Sequence, residues 1–184
     1  LKAAGATVVD AQIPTLGQWD DAESEVLKYE FKPGLNTYLA RNATPIHSLA
    51  ELIAYNQQHA STEMPHFAQE LFEQSQAKGA LNETAYINAR DKTRRLAGPE
   101  GIDAALKAQQ LDALVAPAMT TAWPIDLAHG DKFIGAGYGP AAAARYPSLT
   151  VPMGQVQGLP VGIGDMGTAW SEPRLIELGY ACEQ

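Results

Sequence analysis

Apolar and polar positions change rhythm along this chain. Residues 7–10 (TVVD) form a short continuous apolar run that predicts a buried strand, closed by the segment at Pro14. From about Asp20 to Gln110 the period is helical. Asp20 or Asp21 can cap a helix carrying Ala22, Val26, Leu27, Tyr29 and Phe31, with Glu23 and Glu25 suiting the positive end of its dipole. Pro33-Gly34 predicts a kink or break before the pattern resumes at Leu35, Tyr38 and Leu39. Residues 48–51 (SLAE) fit a capping box that opens a helix to about His59. Pro65 suits the first turn of the next helix, with Phe67, Ala68, Leu71 and Phe72 on one face. Asn82 is placed to cap a further helix that Gly98-Pro99 stops, and a shorter helix follows over roughly 101–110.

Beyond that point the character changes. "LDALVAPAMTTAWPID" reads as a strand running into a loop rich in Pro and Thr, and residues 121–147 hold much Gly and Ala with little periodicity. A loop of that length in a compact domain is of the functional or poorly ordered kind. Residues 146–164, "YPSLTVPMGQVQGLPVGIG", read as strand, Met-Gly turn, strand, and a closing helix starts near 171–173. Continuous apolar runs such as ALVAP and LTVPM predict an α/β fold whose sheet is covered on both faces.

Composition narrows the function classes. The 184 residues are 46% hydrophobic and 18% charged, with a net charge of −8. Such a balance opposes nucleic-acid binding, which needs clustered cations; Lys92, Arg94 and Arg95 read as a solvated helix face. No apolar run approaches the roughly 20 residues that span a bilayer, so neither nucleic acid nor membrane is expected as partner. The single cysteine, Cys182, rules out an internal disulfide and a thiolate metal cage, and leaves cytoplasm and secretion both open. The opening "LKAAG" resembles a helix end with a Gly stop, and "EPRLIELGYACEQ" ends within a helical pattern. Both edges read as cuts through a larger fold.

Candidate chemistry is sparse. His47, His59, His66 and His129 are scattered without metal-ligand spacing, and no metal or cofactor is expected. There is no Gly-x-Ser-x-Gly elbow, and Ser148 reads as a residue satisfying nearby backbone. Asp20-Asp21 reads as a capping turn, and Asp126 with Asp131 as solvated loop carboxylates. "GAGYGP" (135–140) lacks the Lys-Ser/Thr of a phosphate loop and reads as a flexible turn. Trp123, on a loop after a buried strand, is either a pocket wall or an aromatic shielding the strand end, and Tyr138 stands similarly.

In combination these segments resemble a known family. "LDALVAPAMTTAWPID", "YPSLTVPMG", "GLPVGIGDMGTAW" and "LIELGYACEQ" resemble, in order, the C-terminal part of the amidase signature family. "EVLKYEFKPGLNTYLA", "SLAELIAYNQQHA" and "RRLAGPEGIDAALKAQQLDALVAP" resemble the helical segment of its peptide-amidase-like members. The resemblance implies one partial amidase domain over 1–184, with a mostly helical segment at 20–110 and strands, long loop and closing helix at 111–184. It implies a mixed sheet covered by helices, in an enzyme hydrolysing a carboxamide, such as a peptide C-terminal amide, to carboxylate and ammonia. Family members use a serine nucleophile, a second serine in a cis peptide, and a lysine kept neutral by desolvation. Those parts belong to the family's N-terminal half, and this chain has no Gly/Ser-rich signature. No catalytic residue is therefore assigned, and the chain alone is expected to be inactive, with Trp123 and Tyr138 as substrate-binding residues by position. The partners implied are an amide or peptide-amide substrate, the N-terminal half of the same domain, and self-association through an open sheet edge. Two departures stand out: related sequences usually place Gly where Arg145 stands, and Pro33 replaces a more helix-friendly residue. A reading of another class is a non-catalytic binding or interaction module derived from the same fold.

Overall fold

The structure, a computed structural model, describes residues 1–183 (the side chain of residue 4 aside) and divides into two compact units. The helical unit is Asp20–Asp91; the sheet unit is Leu1–Trp19 with Lys92–Gln184, described to residue 183.

The helical unit holds α1 (Asp20–Arg41), α2 (Leu49–Gln58), the single turn α3 (Ala60–Glu63), α4 (Glu70–Gln76) and the first part of α5 (Thr84–Ala97). Asp20 and Asp21 lie in the first turn of α1 rather than at its cap, where their charge still meets the free N–H groups. Helix α1 runs on through Pro33, so the expected interruption does not break it. The ring costs one ladder bond, and polar anchors on the same helix hold it in place. Lys32 Nζ donates to the carbonyls of Gln76 and Lys78 at 3.0 and 2.9 Å, and Asn36 Oδ1 accepts the Leu49 N–H at 2.8 Å. Glu25 pairs with Lys78, Tyr29 donates to Glu83, and Tyr86 donates to Glu30. Apolar contact adds the stacked Phe31 and Phe72 rings, 5.4 Å between centroids.

Ser48 caps α2 by accepting the Glu51 N–H at 3.2 Å. The Glu51 carboxylate reaches back to the His47 N–H at 2.7 Å, one residue earlier than a capping box places it. The helix expected from Pro65 starts only at Glu70, and Phe67 and Ala68 stand outside it. Gln69 is the reason: its amide donates to the Ile53 carbonyl and accepts from Asn56, fixing the chain before the first helical turn.

In the sheet unit, α5 does not stop at Gly98-Pro99. A π-turn (Gly98–Ile102) leads directly into α6 (Asp103–Gln109). Pro99 has no N–H to give the ladder, so the spiral widens by one residue. The Leu96 carbonyl is taken by Thr15 Oγ1 at 2.6 Å, and Gly101 lies so close that a Cβ there would meet this oxygen at 2.5 Å. The strands are β1 (Leu114–Pro117), β2 (Ser148–Val156) and β3 (Leu159–Met166), in order β1-β3-β2 with both ladders antiparallel. Residues 7–10 form no regular element and join no ladder among the described residues, against expectation. The Met-Gly pair is likewise no turn: β2 passes through it with a bulge between Pro152 and Gly154, and the reversal falls at Gln157-Gly158. Both of those residues have positive φ, 54° and 80°, the two-residue turn whose twist suits a hairpin.

Helices cover both faces of the sheet. Leu114 and Met166 enter a core with Ile102, Leu106, Ala141 and Ala144. On the other face α8 (Glu172–Glu183) presents Gly179 to Leu149 and Val151. The stretch expected to be a flexible turn, 135–140, turns at residues 137–138, and its last two residues open α7 (Gly139–Ala144), whose alanines are small enough to bury against that core. Arg145 ends α7 in the left-handed conformation, φ 60° and ψ 37°, a backbone region that favours glycine. Arg145→Gly is expected to raise the stability of the sheet unit by about 1 kcal/mol, read as a higher urea midpoint. An unchanged or lower midpoint would show that contacts of the arginine side chain outweigh the backbone relief.

Candidate functional site

The long loop 118–138 is pinned to β3 at its start and to the end of β1 at its close. Ala118 N–H donates to the Gly162 carbonyl at 2.8 Å, and the Gly137 N–H donates to the Pro117 and Ala118 carbonyls at 3.2 and 3.0 Å. Gly137 is required there, because a Cβ would stand 2.4 Å from the Pro117 oxygen. Between these pins, Trp123 donates its indole N–H to Asp131 at 3.2 Å and packs its ring against Phe133, 6.2 Å between centroids and 60° apart. Asp126 closes a separate turn, accepting the backbone N–H groups of Ala128 and His129 at 3.0 Å and meeting the His129 ring at 2.9 Å. The His129 backbone N–H, then its ring, then the Ala128 N–H hold the Asp126 carboxyl below its usual range.

Of the residues expected to bind substrate, Trp123 is therefore ordered by a carboxylate and a second aromatic. Tyr138 precedes α7 and is 46% exposed. Among the described residues Trp123 and Tyr138 share no hydrogen bond or ring contact. Asp131 and Phe133 were not legible as partners of Trp123, since a loop without periodicity gives no spacing from which to pair side chains. Ser148 opens β2 opposite Met166 and is exposed, with no histidine hydrogen-bonded to it among the described residues. No group of three or more His, Cys, Asp or Glu among the described residues is placed to hold a metal ion.

Where α6, β2 and the β3–α8 connection meet, the Asp103 carboxylate accepts the Tyr146 hydroxyl at 2.8 Å and the Thr168 hydroxyl at 2.7 Å. Burial first, then this acceptor, pushes Tyr146 up to about 12. The tyrosine works here as a neutral donor.

A second feature lies beside β1. A groove of about 1030 Å3 runs between residues 5–16 and 109–116 and is lined further by Asp165, Met166, Leu178 and Cys182. Asp165 is 2% exposed, and its Oδ2 has no hydrogen-bond partner among the described residues. In the ladders it faces Val115 on one side and Leu149 on the other. Burial raises its pKa, because an ionised carboxylate in that setting loses hydration without replacement. Nothing in "VGIGDMG" distinguishes this aspartate from one at a strand end; only the register places it among apolar neighbours.

An acid whose folded pKa is raised holds its proton in the folded chain at pH values where the unfolded chain has lost it, so stability falls as pH climbs from the ordinary value of 3.8 through the folded value. Asp165→Asn removes that loss. The unfolding midpoint of the 184-residue variant is expected to match the parent chain near pH 3 and to exceed it increasingly toward pH 7. A difference that does not change with pH would refute a buried, proton-holding Asp165.

Comparison with known proteins places this geometry. The chain is 57% identical to a peptide amidase solved in complex with the competitive inhibitor chymostatin, and superposes on it with a TM-score of 0.91 over 100% of this chain and 37% of that one. The native peptide amidase of Stenotrophomonas maltophilia gives 55% identity and a TM-score of 0.88, with the same coverage. An amidase homologue of Schizosaccharomyces pombe is 32% identical over 186 residues, covering 91% of this chain and 30% of the homologue. The chain thus spans about a third of the length of these relatives. The profile of the amidase family matches residues 1–176, and the chain belongs to that family.

Proposed function

We propose that these residues are the C-terminal portion of an amidase that hydrolyses a carboxamide, including the C-terminal amide of a peptide, to carboxylate and ammonia. The likeness to peptide amidases along the entire chain, at 57% identity, carries this reading. Within that enzyme the 184 residues act as one partial domain that supplies scaffold and pocket wall. The serine nucleophile, the bridging serine and the neutral lysine come from the remainder of the polypeptide, and this chain alone is inactive. Trp123 and Tyr138 belong to the wall of the substrate cleft. The hydrogen bond to Asp131 and the ring of Phe133 support this role for Trp123, since they hold a broad apolar surface in one orientation on an otherwise open loop.

Ammonia release from a panel of amides that includes a peptide C-terminal amide tests the proposal. The 184-residue chain is expected to be silent, and the polypeptide extended upstream to its natural start to be active. Activity of the short chain would place a nucleophile within it and make Ser148 the first residue to replace. Silence of both would favour the non-catalytic module.

In the extended enzyme, Trp123→Ala is expected to raise KM about tenfold while kcat changes little, the signature of lost ground-state binding. An unchanged KM would remove Trp123 from the cleft.

A further inference from the structure

The long loop carries more order than its residues suggest, and that order centres on Trp123. Residues 119–136 join no ladder among the described residues, yet the two arms of the loop stay in step from base to tip. At the base the Gly137 N–H donates to the Pro117 and Ala118 carbonyls, and further out the Thr120 N–H donates to the Gly135 carbonyl at 3.3 Å. Near the tip the Gly130 N–H reaches the Asp126 carbonyl at 2.9 Å. Those rungs are backbone. The rung between them is made by side chains: the Trp123 indole donates to Asp131 Oδ1 at 3.2 Å, and the Phe133 ring packs at 60° to it, 6.2 Å between centroids. The backbone rungs fix where the Trp123 side chain starts, and the carboxylate fixes how its ring is turned.

That bond also decides what the indole can offer. An indole has one donor and no acceptor. With the donor given to Asp131 and one side set against Phe133, an apolar ring face remains. Its neighbours on the loop agree, since Phe133 is 56% exposed, Ile134 86% and Ile125 88%. Such a face attracts an apolar side chain and offers no donor to a polar one, and the carboxylate beside it repels an acid. We propose that Asp131 is a positioning residue for substrate, acting through Trp123, and that the wall it sets up takes an apolar side chain, aromatic above all, near the amide of a peptide. The proposal rests on the reading of this chain as part of an amidase with Trp123 in its cleft. Asp131 itself does not touch substrate. An exposed hydrogen bond adds little to the stability of the loop, but a ring left free to turn must be ordered each time substrate binds, and that cost weakens binding.

Ammonia release by the complete polypeptide, read from its natural start, tests this with two peptide amides that differ only at their last two positions. One ends in two phenylalanines and the other in two glycines. Asp131→Ala is expected to raise KM for the phenylalanine amide about fivefold, the worth of one hydrogen bond, with kcat little changed and the glycine amide little affected. Asp131→Asn keeps an acceptor oxygen for the indole and is expected to restore the parent KM. After Trp123→Ala, adding Asp131→Ala is expected to change nothing further, because the aspartate acts through the indole. Equal losses on both amides would make Asp131 a structural residue, and an unmoved KM for the phenylalanine amide would remove it from the site. Either result overturns the inference. So does a KM for Asp131→Asn as high as that for Asp131→Ala, which would assign the effect to charge, and so do additive losses in the double variant. The two readings fail separately. Ammonia from the parent with KM unmoved by Asp131→Ala sinks this inference alone, whereas no ammonia from the parent with any amide sinks the amidase reading and takes this inference with it.

Discussion

The sheet unit depends on a knot around Asp103, where one carboxylate at the start of α6 takes both the Tyr146 and Thr168 hydroxyls. Tyr146 stands just before β2 and Thr168 just after β3, so the head of one strand and the tail of its partner are tied to the same helix. The arrangement needs room for the tyrosine ring, and Gly98 provides it: a Cβ there would stand 3.0 Å from the Tyr146 hydroxyl. Gly98 is also the residue at which the helix widens into its π-turn. A single local feature thus sets the path of α6 and admits the side chain that anchors the sheet. Hydrogen bonds received by a carboxylate are among the stronger ones, and the one from Tyr146 is partly buried.

From that anchor the strands acquire unequal roles. Strand β3 has a neighbour on each side and helices over each face, so its residues meet the most varied surroundings in the unit. Met166 turns into the apolar core, while Asp165, one residue earlier, turns to the face of α8. Among the described residues strand β1 has a neighbour on one side only, and the carbonyl of its last residue, Pro117, holds the far end of the long loop. The aromatic pair Trp123 and Phe133 and the groove lined by Asp165 are both reached from this strand. In the helical unit polar anchors do comparable work, with Lys32, Asn36 and the two tyrosine–glutamate bonds supporting a long helix that contains a proline.

Much of this was legible in the residues. The capped helix at Ser48, the short helix before residue 110, β1, the two strands of residues 146–164 and the closing helix follow from periodicity and from turn chemistry, which act over a few residues. Motif order carried the family, because several spaced Pro and Gly patterns together are far more specific than any one. The misreadings share a cause. Pro33 and Pro99 are local breakers, yet distant side chains or a widened turn made their cost bearable. Residues 7–10 have the composition of a strand but join no ladder, and pairing is a property of neighbours rather than of the segment itself. The alanines at 141–144 follow a glycine-rich stretch that hides a helix start; burial against Ile102 and Leu106 decides it.

Sequence by itself determined most of the element types, the family and the absence of a recognisable Ser-Ser-Lys set, since each depends on residue identity over short spans. Tertiary structure alone decided that Arg145 adopts a left-handed backbone, that Trp123 is held by Asp131, and that Asp165 is buried with an oxygen unpaired. Each of these is set by residues that packing brings together, and no spacing along the chain records them.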